Sequence, residues 1–126
     1  MELDRVAVFK RATSLMIHMG FRANQYGYKF LREAIWQVWE EPEKLELMTK
    51  WLYPSVGKEF QVTGKQVERA IRNSIETAWT IGNKERQAMV FENMDVWNDR
   101  RPTNMQAILA IIEYLKKENT ELADIY

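Results

Sequence analysis

The most constraining feature of this sequence is a short apolar helix end, a polar break and a long amphipathic segment, which lie between Val56 and Thr80. Thr63 followed by Gln66 fits a capping box, in which the two side chains satisfy free amides at a helix start. Apolar and small residues then recur at helical spacing: Val67, Ala70, Ile71, Ser74, Ile75 and Ala78. The pattern predicts a helix-turn-helix whose second helix spans residues 63–80.

The opposite face of this predicted second helix is polar. A helix that is packed on one side and shows Gln, Arg and Asn on the other can enter a major groove, where these side chains make bidentate hydrogen bonds to guanine or adenine. The residues predicted to face base edges are Gln66, Glu68, Arg69, Arg72 and Asn73. The alternative is an ordinary surface helix, because Glu68 and Arg72 also have the spacing of an i,i+4 ion pair.

Further side chains are predicted to contact DNA phosphates. They are Lys58, Thr63, Lys65, Arg100, Arg101 and Thr103. Thr103 comes just before a predicted helix, whose first amides can hold a phosphate. The alternative for each Lys or Arg is a solvated surface charge. Trp97 lies in the least regular stretch of the chain and is predicted to contact a protein partner, or else to pack this stretch onto the domain.

The composition fits one domain and narrows the function. The chain has 126 residues, 46% of them apolar, and no uncharged apolar run of about 18 residues that would cross a membrane. The N-terminal segment carries acids and interspersed cations, which does not fit a signal peptide. The absence of Cys excludes disulfides and thiol chemistry, and agrees with a cytoplasmic protein.

No pattern in the sequence indicates an enzyme. There is no nucleophile elbow, phosphate-binding loop or HExxH motif. His18 is the only histidine and has no partner residues at metal-ligand spacing. We therefore expect no catalytic residue, no cofactor and no metal.

The net charge is zero, which weighs mildly against nucleic-acid binding, but the charges are segregated. Residues 1–32 hold six basic (Lys or Arg) and two acidic residues, whereas residues 33–48 hold one basic and five acidic residues. Residues 58–72 hold four basic and two acidic residues. A local basic face can bind phosphates in a neutral protein, with modest and salt-sensitive affinity.

The remaining periodicity predicts an all-α protein, a single compact bundle of about six or seven helices over residues 1–126. Beside the helix at 63–80, predicted helices span residues 5–19, 26–40, 41–52, 55–60, 84–91 and 104–118. In this prediction Pro42 starts the third helix and Pro54 interrupts the chain before the fourth.

Four segments in this order resemble one family: TSLMIHMGFRANQYGYKFLREAI (13–35), KWLYPSVGKEF (50–60), QVERAIRNSIETAWTIGN (66–83) and RPTNMQAILAII (101–112). The family is the C-terminal DNA-binding domain of the sporulation stage-zero response regulator, a transcription factor of endospore formation. The similarity covers about residues 10–117. It implies a six-helix domain with a helix-turn-helix that binds boxes of the TGTCGAA type, as tandem dimers that contact a sigma subunit of RNA polymerase. It also implies that Arg69 reads a base, with Glu68 beside it and Arg72 matching as well.

The chain departs from this family in three places. Lys65 and Gln66 replace a usual Ser-Arg pair, and Gln favours adenine where Arg favours guanine, so we expect altered or relaxed specificity there. Asn73 stands where the family often has His, and the segment between Asn83 and Arg101 diverges most. Only about ten residues precede the match, so we expect no receiver domain, and activity set by abundance, a partner or a ligand.

The predicted function is therefore sequence-specific binding of double-stranded DNA in transcriptional regulation. The alternative is an interaction module that pairs with a full-length regulator or a sigma subunit and modulates it without strong DNA binding. The neutral net charge and the missing arginine favour the alternative.

Overall fold

The computed structural model describes residues 3–91 and 101–125, with side chains described up to Glu118. Within these ranges the protein has six α-helices and no strand, which confirms the predicted all-α fold. The helices are α1 (Arg5–Met19), α2 (Tyr26–Glu40), α3 (Tyr53–Phe60), α4 (Gly64–Ile81), α5 (Lys84–Val90) and α6 (Asn104–Ile125). No helix in these ranges is long and apolar enough to cross a membrane.

The two ends of α1 are set by side-chain and backbone caps. The Asp4 carboxylate accepts a hydrogen bond from the Ala7 amide at 2.9 Å and begins the helix. Gly20 ends it in the left-handed conformation, with φ of 106°, and donates its amide to the Ile17 carbonyl. The left-handed conformation is favourable for glycine because it has no Cβ.

The predicted regular helix over residues 41–52 is wrong. The structure has a 3₁₀ helix at Pro42–Leu47 and a π-helical turn at Met48–Leu52, and the backbone of Leu47 at their junction departs from helical values, with φ of −128° and ψ of 58°. The reason is tertiary: Lys44 is buried against α2 and donates a hydrogen bond to the Gln37 side chain at 3.2 Å. The Lys44 ammonium also lies 5.6 Å from the centre of the Trp51 ring.

Predicted boundaries of the other helices also change. Pro54 does not precede α3 but lies in its first turn, where its missing amide costs no hydrogen bond. α4 begins at Gly64, with Thr63 as its N-cap, and α5 ends at Val90. α6 continues to Ile125, beyond the predicted end at residue 118.

The apolar side of α4 lies in the core, as predicted. Its buried residues are Val67, Ile71, Ser74, Ile75 and Ala78, and Ala70 is half-buried. α4 packs most closely on α2 at Gly27, where an added Cβ would overlap the carbonyl oxygen of Ala70. The two backbones are therefore in direct contact, and this contact sets how far α4 stands out from the bundle.

The C-terminal ends of α1 and α4 are joined by one buried side chain of α5. The Gln87 amide nitrogen donates to the carbonyl of Met19 at 3.0 Å and to that of Ala78 at 2.8 Å. These carbonyls lie in the last turns of their helices and would otherwise lack intrahelical partners or be only partly satisfied. These two hydrogen bonds hold the C-terminal end of α4, the end away from the turn between α3 and α4.

Candidate nucleic-acid interface

The turn between α3 and α4 is short and tightly hydrogen-bonded. The carbonyl of Gly57 accepts the amides of both Gln61 and Val62, the latter at 2.9 Å. Gln61 takes the left-handed conformation, with φ of 58°, and is the one non-glycine residue with positive φ in the described chain. An added Cβ at Gly57 would overlap the Val62 carbonyl oxygen. The angle between α3 and α4 is thus fixed by backbone contacts.

The predicted capping box at the start of α4 is confirmed. The Thr63 hydroxyl accepts a hydrogen bond from the Gln66 amide at 3.1 Å, and Gln66 Oε1 accepts one from the Thr63 amide at 2.8 Å. Bidentate recognition of adenine requires both Oε1 and Nε2 of a glutamine. In this structure Oε1 serves the cap, so only Nε2 of Gln66 is left to face a base.

A shallow depression runs along the first three turns of α4 and brings together five of the predicted DNA contacts. Its lining is Thr63, Lys65, Gln66, Arg69, Ala70 and Asn73. Arg69 and Asn73 are exposed, and the side chain of neither makes an ion pair or hydrogen bond with another described residue. Arg69 is therefore an unpaired guanidinium in the middle of the exposed face of α4.

A second depression collects the other contacts predicted on α4, but here the cations are paired. Arg72 Nη1 lies 2.7 Å from Glu68 Oε1, and Arg101 Nη1 lies 3.5 Å from Glu76 Oε1. Glu68, Arg72, Arg101 and Thr103 all line this depression, together with the first residues of α6. These exposed ion pairs are weak and exchange readily for other charged partners.

The N-terminus of α6 is anchored to the helix-turn-helix by Asn104, a residue that sequence reasoning noticed only as a helix start. Its Nδ2 donates to the Tyr53 hydroxyl at 3.0 Å and to the Glu68 carbonyl at 3.1 Å. Burial raises the pKa of the Tyr53 hydroxyl, and the nearby Glu68 carboxylate adds to this, while the Asn104 hydrogen bond and Arg72 oppose it. Asn104 thus joins the start of α6 to α3 through Tyr53 and to α4 through Glu68.

Thr103 has a structural role in addition to its predicted phosphate contact. Its hydroxyl accepts from the Gln106 amide at 3.1 Å, and Gln106 Oε1 accepts from the Thr103 amide at 2.9 Å. This is a second capping box, with the same Thr-x-x-Gln spacing as the one at Thr63. The spacing is visible in the sequence and would have indicated the cap.

Lys58 lies apart from the other predicted phosphate contacts. It is exposed on α3 and lines a different depression, which it shares with Glu40, Glu41 and Glu59. The acidic surroundings distinguish it from Lys65. Trp97 and Arg100 fall outside the described residues. Within those residues, no group of three or more His, Asp or Glu side chains is gathered that would hold a metal ion.

A comparison with protein families gives a match over these elements. The family model described as "Sporulation initiation factor Spo0A C terminal" matches residues 12–115. This range includes all of α2 to α5, both capping boxes and every predicted DNA contact.

Proposed function

This chain belongs to the family of Spo0A C-terminal domains, the DNA-binding effector domains of a sporulation transcription factor, and on that premise we propose that it binds specific sequences in double-stranded DNA. One observation carries the proposal. The exposed face of α4 presents an unpaired Arg69 on a helix whose start is fixed by the Thr63–Gln66 cap and whose tilt is fixed by the turn at Gly57.

In the proposed complex, the N-terminal half of α4 lies in the major groove. Arg69 makes the bidentate contact to a guanine, which is the commonest specific contact in such complexes. Asn73, one turn further along the helix, faces the next bases. Lys65 lies beside the helix start and contacts a phosphate, which fixes the register of the helix without reading sequence.

Gln66 contributes less specificity than an arginine at this position would. Its Oε1 is bonded to the Thr63 amide, so it offers a base one hydrogen bond instead of two. We therefore propose that the preference for a single base is relaxed opposite Gln66, while the guanine opposite Arg69 is read strictly.

The ion pairs on α4 make binding depend on exchange. Arg72 leaves Glu68, or carries it into the groove, and Arg101 leaves Glu76 for a phosphate. Each exchange costs little, because the pairs are exposed, and each new phosphate contact releases a counterion. Because the net charge of the protein is zero, we expect its affinity for DNA to be modest and to fall steeply as the salt concentration rises.

Two further parts of the proposal concern assembly. Two copies would bind adjacent boxes in tandem, and the complex would contact a sigma subunit of RNA polymerase in the cytoplasm. Both parts rest on the family alone.

The test is fluorescence anisotropy with a labelled duplex that carries two tandem TGTCGAA boxes and with a scrambled duplex of equal length. Titrations at about 50 and 200 mM salt separate specific contacts from the phosphate contribution, which loses orders of magnitude over this range. We expect tighter binding to the boxes, and loss of that preference in Arg69→Ala. Equal weak binding to both duplexes would contradict the proposal for this sequence, and selection from random DNA would then follow.

The second candidate is an interaction module that pairs with a full-length regulator or a sigma subunit. The neutralisation of Arg72 and Arg101 by carboxylates of α4 favours it, since these are two of the cations that DNA binding would use. It predicts weak, salt-insensitive DNA binding together with tight capture of the partner protein. Anisotropy with labelled sigma subunit, measured with and without the duplex, distinguishes the two candidates, because only the second requires tight capture of the partner in the absence of DNA.

A further inference from the structure

A second basic surface lies along α1, where it meets α2. It is a groove lined by Arg5, Val6, Phe9, Lys10, Thr13, Ser14 and Arg32, which we call the α1–α2 groove. Every charged residue in this lining is a cation. The groove shares no residue with the two depressions on α4. None of the DNA contacts proposed above lies in this groove.

The apolar part of the groove is exposed to solvent. Phe9 is half-buried within it, and Val6 at its edge is 63% exposed. Thr13 follows Phe9 on this side of α1, and one turn beyond the groove lies Ile17, which is 50% exposed. The spacing of Val6, Phe9 and Ile17 places them along one side of α1, over about 17 Å at 1.5 Å per residue. A long, open stripe suits a peptide segment better than a compact ligand.

The cations around this stripe are held in place by aromatic rings. The guanidinium carbons of Arg5 and Arg32 each lie 4.8 Å from the centre of the Phe9 ring. Arg32 also lies 5.3 Å from the Tyr28 ring centre and donates a hydrogen bond to the Thr13 hydroxyl at 3.0 Å. A guanidinium fixed in this way loses little side-chain entropy when it binds an anion.

Only one of the three cations has a carboxylate partner in the described chain. Arg5 Nη2 lies 2.6 Å from the buried Glu33 carboxylate, which offsets its charge. Arg32 has no ion pair among the described residues, and its Nε is buried without a hydrogen-bond partner. Lys10 is exposed at the rim. Two uncompensated cations therefore flank an exposed apolar stripe.

We propose that the α1–α2 groove binds an acidic amphipathic peptide segment of a partner protein. Apolar side chains of the segment cover Val6, Phe9 and Ile17, and its carboxylates pair with Lys10 and Arg32. We choose this partner because of charge complementarity. The cationic rim of the groove repels basic segments and attracts acidic ones, while the apolar stripe binds apolar side chains.

The probe for this surface is a fluorescein-labelled helical peptide of about 15 residues with Glu on one face and Leu on the other. Two control peptides replace Glu by Lys, or Leu by Ser. We expect saturable binding of the Glu-Leu peptide alone, measured by anisotropy. Binding should weaken at least about tenfold in Lys10→Glu and in Val6→Asp, both of which change exposed side chains. The matched control is Lys29→Glu, an exposed cation of α2 outside the groove, which should bind as the wild type.

Several outcomes would overturn the proposal. They are no saturable binding, equal weakening in Lys29→Glu, equal binding of the Ser-substituted peptide, and displacement of the peptide by duplex DNA. Displacement would identify the groove as a nucleic-acid surface. Self-association of the free protein that Lys10→Glu abolishes, measured by sedimentation, would identify a second copy as the occupant instead. The peptide result is independent of whether the tandem boxes are bound.

Discussion

The exposed face of α4 and the α1–α2 groove are both basic, but they hold their cations by different means. Arg72 of α4 and Arg101, which lies just before α6, are paired with the α4 carboxylates of Glu68 and Glu76. In the groove, Arg32 is held by two aromatic rings and one hydroxyl, with no carboxylate partner in the described chain. Cations paired with carboxylates must exchange partners before they bind phosphates, and this exchange is screened by salt. A cation that is held by aromatic rings can bind an anion without first leaving a carboxylate.

The difference suits two kinds of ligand. DNA presents a dense row of phosphates that competes well with a surface carboxylate, and exchange lets the protein leave non-specific sites. A peptide carboxylate offers a single charge, so its binding benefits from a guanidinium that is already positioned. Four substitutions break or sharpen this comparison.

The largest effect is expected for Gly27→Ala. The added Cβ would overlap the backbone of Ala70, so α2 and α4 must separate, which costs about 1–3 kcal/mol or more in the free energy of unfolding. DNA affinity should fall further than stability predicts, while peptide binding in the α1–α2 groove persists. Urea unfolding and anisotropy measure the two quantities.

The control for this substitution is Gly64→Ala. There the added carbon would lie 3.1 Å from the Pro54 backbone nitrogen and 3.2 Å from its Cδ, a tight contact that is much milder than the overlap with the Ala70 carbonyl oxygen at Gly27. We expect a change of less than about 1 kcal/mol, since alanine also favours the helix. Equal losses in the two variants would show that the close approach at Gly27 does not position α4.

The second effect separates the two surfaces. Arg69→Ala should cost about 1–3 kcal/mol on the cognate duplex and relax one base position, because it removes the bidentate contact. Peptide binding should not change. Lys65→Ala should instead weaken all duplexes alike. A uniform loss in Arg69→Ala would assign Arg69 to a phosphate and leave the base reader to be found elsewhere on α4.

The third substitution tests the double role of Gln66. Gln66→Ala removes one arm of the capping box and should lower the free energy of unfolding by about 0.5–1 kcal/mol, as loss of a helix cap does. Gln66→Glu retains the acceptor and should recover most of this loss. Thermal unfolding measures both. If the base preference of the protein changes more than its stability in Gln66→Ala, base reading is the main role of Gln66.

The smallest effect is expected for Glu68→Gln. It removes a negative charge beside the phosphates and frees Arg72, so DNA affinity should rise about threefold and its salt dependence should steepen. The ion pair itself is worth less than about 1 kcal/mol, so stability should hardly change. Titration at two salt concentrations measures the effect. A loss of affinity confined to the cognate duplex would show that Glu68 accepts a hydrogen bond from a cytosine.

The elements that depend on local spacing were predictable from the sequence. The start of α4 follows from Thr63 and Gln66, and its buried side follows from residues three and four apart. The end of α1 at Gly20 follows from the conformational freedom of glycine. An all-α bundle of about six or seven helices was expected on the same grounds, and the described residues form six α-helices.

The features that depend on distant contacts were not predictable. Nothing near Lys44 in the sequence indicates that it turns inward to α2 and interrupts a regular helix. The bond between Asn104 and Tyr53 joins residues 51 positions apart. At the DNA-binding site, the sequence pattern assigned Gln66 both to the helix cap and to the major groove of DNA. Only the structure shows that its Oε1 is taken up by the cap and is not left for a base.

The short connection between Gly57 and Thr63 has a consequence for how this chain tolerates insertions. Both amides after α3 end on one carbonyl, so no slack remains to absorb an extra residue. One residue inserted after Phe60 and drawn into α4 would rotate the helix by about 100° per residue, turning Arg69 toward the core and Ile71 toward solvent. We therefore expect the length of this connection to be constant among related sequences whose α4 reads DNA.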